Sequence, residues 1–178
     1  MKMWNGVCTG MTDRAVDLVI ADAGPLIHLD ELCCLDLLFD FPKVWIPEAV
    51  WREVETHRPI ALADLPFIRV EAGPLDPRVA TLARTLTLHH GEREALTLTA
   101  RFPDALFLTD DTAARLAAQT FTQRVHGTLG LLVRAIRRGQ RSREQVLELL
   151  RAIPERSSLH IRPSLLHEVV AQVEAAYR

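Results

Sequence analysis

Cysteine and lysine are both scarce in this chain, and the scarcity of cysteine narrows the classes of protein to which the chain can belong. The 178 residues include three cysteines, Cys8, Cys33 and Cys34, and only two lysines, Lys2 and Lys43. An odd cysteine count without a CxxC spacing is typical of neither a disulfide framework nor a structural zinc site. Reduced thiols are the rule in the cytoplasm, and we expect this compartment for the protein.

Long apolar stretches and an excess of positive charge are also missing. No run approaches the roughly 20 apolar residues of a membrane-spanning helix, so we expect no membrane partner. Residues 1–15 lack the apolar segment of a signal peptide, and we expect them to be an irregular extension, with Met11 as an alternative start. The formal net charge of −2 gives no overall attraction for nucleic acid, so binding would need a local patch.

Arginine supplies nearly all of the positive charge carried by the 21 basic residues. Its planar guanidinium matches the geometry of phosphate oxygens, although a GC-rich genome or a heat-adapted host would produce the same composition. The clearest cluster contains five arginines without an intervening acid: Arg134, Arg137, Arg138, Arg141 and Arg143. We predict RNA binding by Arg134, Arg137 and Arg138, and the alternative is a solvated helix end.

Short apolar segments alternate with segments of helical spacing, and a hydrophobic fraction of 48% allows a substantial core. We predict strands at residues 16–20, 44–46, 67–70, 105–109 and 124–125. We predict helices at residues 26–39, 48–55, 78–86, 92–100, 112–119, 128–138, 143–153 and 165–177. In the last two helices, Ser142 with Gln145 forms a capping-box pattern and Ser164 is the expected cap.

This alternation implies an α/β fold with three α/β/α layers around a central, mostly parallel sheet of four to five strands. No internal repeat or long linker divides the sequence. We therefore expect a single domain over residues 16–178, with its core at about 17–140 and C-terminal helices at 142–178.

Carboxylates follow two of the predicted strands. Asp22 comes after the first strand, and Asp110 and Asp111 come after the fourth. If these strands are neighbours in a parallel sheet, the three side chains converge at one edge, where ligands of such sheets bind. Glu53 and Glu94, on two predicted helices, could point to the same edge.

Carboxylates that lie close together repel each other, and a divalent cation removes this conflict. Mg²⁺ prefers oxygen ligands and is often held by one or two carboxylates together with water and substrate phosphate. Such a site activates water and offsets charge on a leaving oxygen, which is the chemistry of phosphodiester hydrolysis.

Each acid also has a simpler explanation. Asp110 and Asp111 could cap a helix, Glu94 could complement a helix dipole, and Glu53 could be an ordinary solvated residue. Asp22 is harder to explain in this way, because apolar residues surround it and a Gly-Pro pair follows at 24–25.

Taken in order, five segments resemble a PIN domain. They are residues 19–27 (VIADAGPLI), 44–54 (VWIPEAVWREV), 91–96 (GEREAL), 106–111 (LFLTDD) and 126–130 (HGTLG). Together they span roughly residues 17–140. The nearest resemblance is to the bacterial and archaeal subgroup that is similar to toxins of type II toxin–antitoxin modules, much of which is uncharacterised.

This resemblance implies an endoribonuclease that depends on Mg²⁺ or Mn²⁺ and surrounds the metal with three or four acids. By position it implies the catalytic residues Asp22, Glu53, Glu94 and Asp111. By position it implies the metal ligands Asp22, Glu94, Asp110 and Asp111. Glu48 and Glu92 are the nearest competitors of Glu53 and Glu94 for the second and third acid.

The same resemblance implies RNA as the substrate, an antitoxin protein as a partner, and a homodimer. One departure stands against full activity. Many PIN domains place Ser or Thr just after the first acid, where a hydroxyl can reach the water shell of the metal, and here Ala23 and Gly24 occupy those positions. A catalytically degenerate module that binds RNA or protein without cutting is therefore the alternative hypothesis.

Overall fold

The structure, a computed structural model, describes residues 16–63, 65–122 and 124–176. The predicted extension at residues 1–15, with Cys8 and Met11, lies outside the described residues. The strands are β1 (Val19–Ala21), β2 (Val44–Pro47), β3 (Ile68–Val70), β4 (Leu106–Leu108) and β5 (Val125–His126). They form a parallel sheet in the order β3-β2-β1-β4-β5, which confirms the predicted sheet of four to five strands.

Helices cover both faces of this sheet. They are α1 (Ala23–Glu31), α2 (Glu48–His57), α3 (Pro77–Leu86), α4 (His90–Arg101), α5 (Thr112–Ala118), α6 (Thr128–Arg137), α7 (Arg143–Arg156) and α8 (Pro163–Ala176). Successive residues of a strand point to opposite faces, and accordingly Leu106 and Leu108 pack into one buried cluster while Phe107 packs into the other. The first cluster faces α1, α2, α6, α7 and α8, and the second faces α3, α4 and α5. The predicted three-layer α/β/α arrangement is therefore confirmed.

The strand order places the ends of β1 and β4 side by side. The chain adds β2 and β3 along one edge of β1, and later returns to place β4 and β5 along its other edge. Ala21 is in register with Leu108, so the residues that follow both strands emerge at the same edge. Ligands of open parallel sheets bind at such a reversal of strand order.

The long helix predicted at residues 26–39 is wrong, because the segment contains two elements. The helix α1 ends at Glu31, and a 3-10 helix follows at Leu35–Asp40. Cys33 adopts a left-handed conformation (φ 55°), and the Cys34 N–H donates back to the Leu29 carbonyl over 2.8 Å. Bonds of this kind close a helix at its C-terminus. The leucine spacing continues past the break because both elements face the same buried cluster.

The C-terminal helices agree with one predicted cap and contradict the other. Ser142 and Gln145 form the predicted capping box of α7. The helix α8 begins at Pro163, so Ser164 lies inside its first turn, and the predicted helix end at Tyr177 lies outside the described residues. No helix in the described parts of the chain is long and apolar enough to cross a membrane.

Leu150→Ala tests whether α7 and α8 share one folding unit with the sheet. Leu150 is fully buried in the cluster that also contains β1, so its truncation should cost about 2–5 kcal/mol of unfolding free energy. Glu148→Ala, an exposed change on the same helix, is the control. Urea unfolding followed by the three tryptophans, all of which precede α7, should show one cooperative transition displaced in the Leu150 variant. A tryptophan transition that does not move would contradict the single-domain expectation.

Candidate active site

A cavity of about 320 Å³ opens at the carboxyl ends of β1 and β4. Five of the residues that line it carry carboxylates: Asp22, Glu53, Glu92, Asp110 and Asp111. We refer to it as the acid cavity. Its other lining residues are Ala23, Gly24, His28, His89, Ser158, Leu159 and His160.

Asp22 is the most buried of the five acids, with 5% of its surface exposed. One side-chain oxygen, Oδ1, accepts a hydrogen bond from the Ala23 N–H (2.9 Å) and caps α1. The other oxygen, Oδ2, accepts from the Thr109 hydroxyl (2.9 Å) at the end of β4. The pKa of Asp22 is raised to about 7, mainly by burial; the hydrogen bonds from Thr109 and Ala23 oppose this rise, and the nearby charges of Glu92 and Glu53 add to it.

Glu92 reaches the acid cavity from the first turn of α4. Its Oε2 accepts from the His89 N–H (2.7 Å), which fixes the side chain in a capping box. Burial raises the pKa of Glu92, and the charges of Asp111 and Glu53 add to this rise. A Cβ at Gly91 would lie 3.2 Å from the Glu53 carboxylate, so the glycine permits α4 to approach α2 closely.

Asp110 and Asp111 follow β4 but are bonded differently. Asp111 caps α5 by accepting from the Ala114 N–H (2.7 Å) and is otherwise exposed. Asp110 accepts from the Thr128 N–H (2.8 Å), the Thr128 hydroxyl (2.6 Å) and His28 Nδ1 (2.8 Å). It thereby joins the start of α6 to α1. A Cβ at Gly127 would lie 2.3 Å from Asp110 Oδ1, so a larger residue there would displace this carboxylate.

Glu94 does not line the acid cavity. Its Oε2 accepts from the Ala49 N–H (2.8 Å) at the start of α2, and its Oε1 lies 3.7 Å from His90 Nε2. Of the acids named from the sequence, the structure brings Asp22, Glu53, Asp110 and Asp111 together. It places Glu92, the competitor, where Glu94 was expected. Glu48 pairs instead with Arg69 and Arg52.

The arginines predicted to bind RNA are engaged within the chain. Arg134 is 7% exposed, pairs with Asp40 (2.5 Å) and lies over the ring of Phe41 (4.2 Å). Arg138 pairs with the same Asp40 carboxylate (2.9 Å). Arg137 lies at the end of α6 and also has an interaction partner. Arg134 and Arg138 therefore join α6 to the end of the 3-10 helix.

The acid cavity has the donor chemistry of a divalent-metal site without a finished coordination sphere. Within residues 16–63, 65–122 and 124–176, no three His, Cys, Asp or Glu side chains are close enough to form a ready-made metal site. Burial nevertheless raises the pKa values of Asp22 and Glu92, and neighbouring carboxylates add to this rise, so the charged forms of both acids are poorly solvated there. Hard cations such as Mg²⁺ need only one or two such carboxylates, with water as the remaining ligands. The side chains present fit that requirement.

A parallel α/β sheet with five acids at its strand-order reversal is typical of α/β proteins whose ligand site lies at this edge. The profile of the family DUF3368, described as a PIN domain, matches residues 18–175. The chain therefore belongs to the PIN-domain family, whose members are generally nucleases that use divalent metals. No curated protein and no solved structure matches the chain.

Asp22→Asn should flatten the pH dependence of stability in the absence of metal. A carboxyl whose pKa is raised on folding keeps its proton in the folded state, so stability falls as pH rises from about 4 to about 7. Between pH 4 and pH 8 the parent chain should lose on the order of a few kcal/mol more unfolding free energy than the variant. Urea titrations in EDTA at several pH values would measure this difference.

The control is Asp17→Asn, which changes an exposed carboxylate just before the opposite end of β1. It should follow the parent curve. Parallel curves for the parent and Asp22→Asn would mean that Asp22 is not the desolvated acid described above.

Proposed function

We propose that the protein is an endoribonuclease that hydrolyses RNA phosphodiester bonds in the acid cavity with the aid of Mg²⁺ or Mn²⁺. The single observation that carries this proposal is the burial of Asp22 and Glu92 in one cavity with Glu53 and Asp111. Carboxylates held together at this cost are characteristic of functional sites. Membership of a nuclease family supports the same conclusion.

We assign metal binding to Asp22, Glu92 and Asp111, acting in part through bound water because no three carboxylates of the described residues form a ready-made site, with Glu53 at the rim. When bound, the metal lowers the pKa of a coordinated water and offsets the charge that develops on the leaving oxygen. Glu92 takes the role that the resemblance gave to Glu94, since Glu94 is occupied at the start of α2. Asp110 is assigned a positioning role, because both of its oxygens are already bonded to Thr128 and one also to His28.

Thr109 supplies a hydroxyl at the first acid, although positions 23 and 24 carry none. Its hydroxyl donates to Asp22 Oδ2, and its oxygen accepts from the Asp111 N–H (3.1 Å). The side chain thus holds two proposed ligands in a fixed relation. A hydroxyl from the end of β4 therefore positions the first acid in this chain.

A toxin role in the cytoplasm, with an antitoxin partner and a homodimer, forms the outer part of this proposal. It is based on the resemblance of the five motif segments to toxin-like PIN domains. The degenerate module that binds without cutting is the competing function. The substitution of hydroxyl residues by Ala23 and Gly24 favours that alternative, whereas the position of Thr109 weighs against it.

The metal proposal predicts different outcomes for three isosteric variants. Asp22→Asn and Glu92→Gln should each lose calorimetric Mn²⁺ binding and reduce RNA cleavage on the order of a hundredfold or more, because each removes a ligand charge. Glu94→Gln should retain Mn²⁺ binding and RNA cleavage, because the amide oxygen of glutamine can still accept a hydrogen bond from the Ala49 N–H.

Several outcomes would contradict this assignment. Loss of activity in Glu94→Gln but not in Glu92→Gln would return the third acid to Glu94. Undiminished cleavage by Asp22→Asn would place the activity at another site or in a contaminant. Absence of both Mn²⁺ binding and cleavage in the parent chain would support the degenerate module.

A further inference from the structure

A second cavity, of about 480 Å³, adjoins the acid cavity. The two share Asp110, Leu159 and His160 as lining residues. Its walls come from β5, the start of α6, one face of α5, Leu165 of α8, and the loop at residues 157–162 that connects α7 to α8. We call it the flanking cavity. Its volume falls in the range of roughly 300–1,000 Å³ that small-molecule pockets occupy.

The walls of the flanking cavity combine apolar side chains with polar ones, among them two arginines and the carboxylate of Asp110. The apolar lining residues are Val125, Leu129, Leu159, Ile161 and Leu165. Arg162, His160 and Arg115 supply polar groups. Single-stranded RNA is bound in general by surfaces that stack an unpaired base and place a cation near its phosphate. The flanking cavity offers apolar side chains against which a base can pack, and an exposed arginine, next to the proposed site of cleavage.

The electrostatic character of the flanking cavity is opposite to that of the acid cavity. Burial lowers the pKa of His126 to about 4, with smaller contributions from the positive charges of Arg115, Arg137 and Arg134. The acid cavity, by contrast, is lined by five carboxylates. Because Arg115 and Arg162 line the flanking cavity, a polyanion is attracted more strongly to it than to the acid cavity.

Arg162 is placed to contact a phosphate. Its side chain is exposed at the mouth of the flanking cavity, and the structure records no hydrogen bond or ion pair from its guanidinium to another described residue. Arg134 and Arg138, in contrast, are paired with Asp40. An unpaired arginine can bind a phosphate without first breaking an internal ion pair.

The loop at residues 157–162 is anchored, so it provides a fixed wall. Glu31, the last residue of α1, accepts hydrogen bonds from the Ser157 hydroxyl (2.9 Å), the Ser158 N–H (2.7 Å) and the Ser158 hydroxyl (3.1 Å). Burial raises the pKa of Glu31, but these hydrogen bonds outweigh it, so the pKa lies below its usual value. A wall with a fixed position can select among ligands by shape.

We propose that the flanking cavity binds one unpaired nucleotide of the RNA, adjacent to the bond cut in the acid cavity, and selects it by its base. The base packs against Leu129 and Ile161, and its phosphate meets Arg162. This inference rests on the proposed function insofar as RNA is the ligand. It requires no cleavage, so the two proposals can be tested separately.

The first test measures binding of labelled single-stranded RNA octamers to the full chain in EDTA by fluorescence anisotropy. One base at a time is replaced by an abasic ribose. Removal of the base that occupies the flanking cavity should weaken binding roughly tenfold, and removal at most other positions should have little effect. Equal losses at every position would overturn the proposal.

The second test uses Arg162→Ala. This variant should weaken binding of every octamer and reduce the slope of log K against log salt by about one. Arg84→Ala is the matched control, because Arg84 is an exposed arginine on α3, which lines neither cavity. Equal effects of the two variants would show general electrostatics and would overturn the assigned phosphate contact.

The third test links the selected base to the flanking cavity. In Ile161→Ala the tenfold penalty for the abasic position should shrink, because the wall that the base contacts has been removed. Leu129→Ala gives the same test if the first variant fails to fold. An unchanged penalty in a folded variant would overturn the proposal. Base-selective, Arg162-dependent binding without any RNA cleavage would uphold the flanking cavity and overturn the nuclease.

Discussion

The buried carboxylate of Asp22 is the constraint on which the rest of the site depends. It caps α1, accepts a hydrogen bond from the Thr109 hydroxyl, and lies where β1 and β4 end side by side. Desolvation of a charge is unfavourable, and hydrogen bonds offset only part of it. The surrounding acids increase the cost instead of relieving it. The proposed binding of a small cation would relieve this cost, and the proposed chemistry depends on that binding.

The sequence was sufficient to predict the sheet and two of its strand ends, and less reliable for the helices. Fully apolar segments such as those of β1 and β4 are typical of central parallel strands, and the acids after them mark the edge where they meet. Glu92 and Glu94 lie two residues apart on α4 and therefore on nearly opposite faces. Choosing between them requires the rotation of the helix about its axis, which depends on packing against α2 and on Gly91. The break at Cys33 was missed because apolar spacing continues across it.

Charge patterns were a poor guide to the proposed RNA contacts, for a related reason. In the sequence, the arginine cluster at residues 134–141 resembles a surface patch. In the structure, Arg134 and Arg138 both pair with Asp40, and Arg141 pairs with Asp36. The partners of each pair are far apart along the chain. Sequence alone gives no indication of pairs so far apart along the chain. The flanking cavity could not be predicted from the sequence either, because its lining residues come from separate segments, among them β5, α6 and a loop that follows α7.

The acids and the residues of that loop lie in separate parts of the sequence. All five acids of the cavity lie before residue 112, whereas Ser158, Leu159, His160 and Arg162 come after α7. Under the two proposals, the acids and the residues that contact the selected base are therefore encoded in separate stretches of the gene. Ile161 and Arg162 line only the flanking cavity, so substitutions there would change the choice of RNA while every acid is kept, and relatives with identical acids would act on different RNAs.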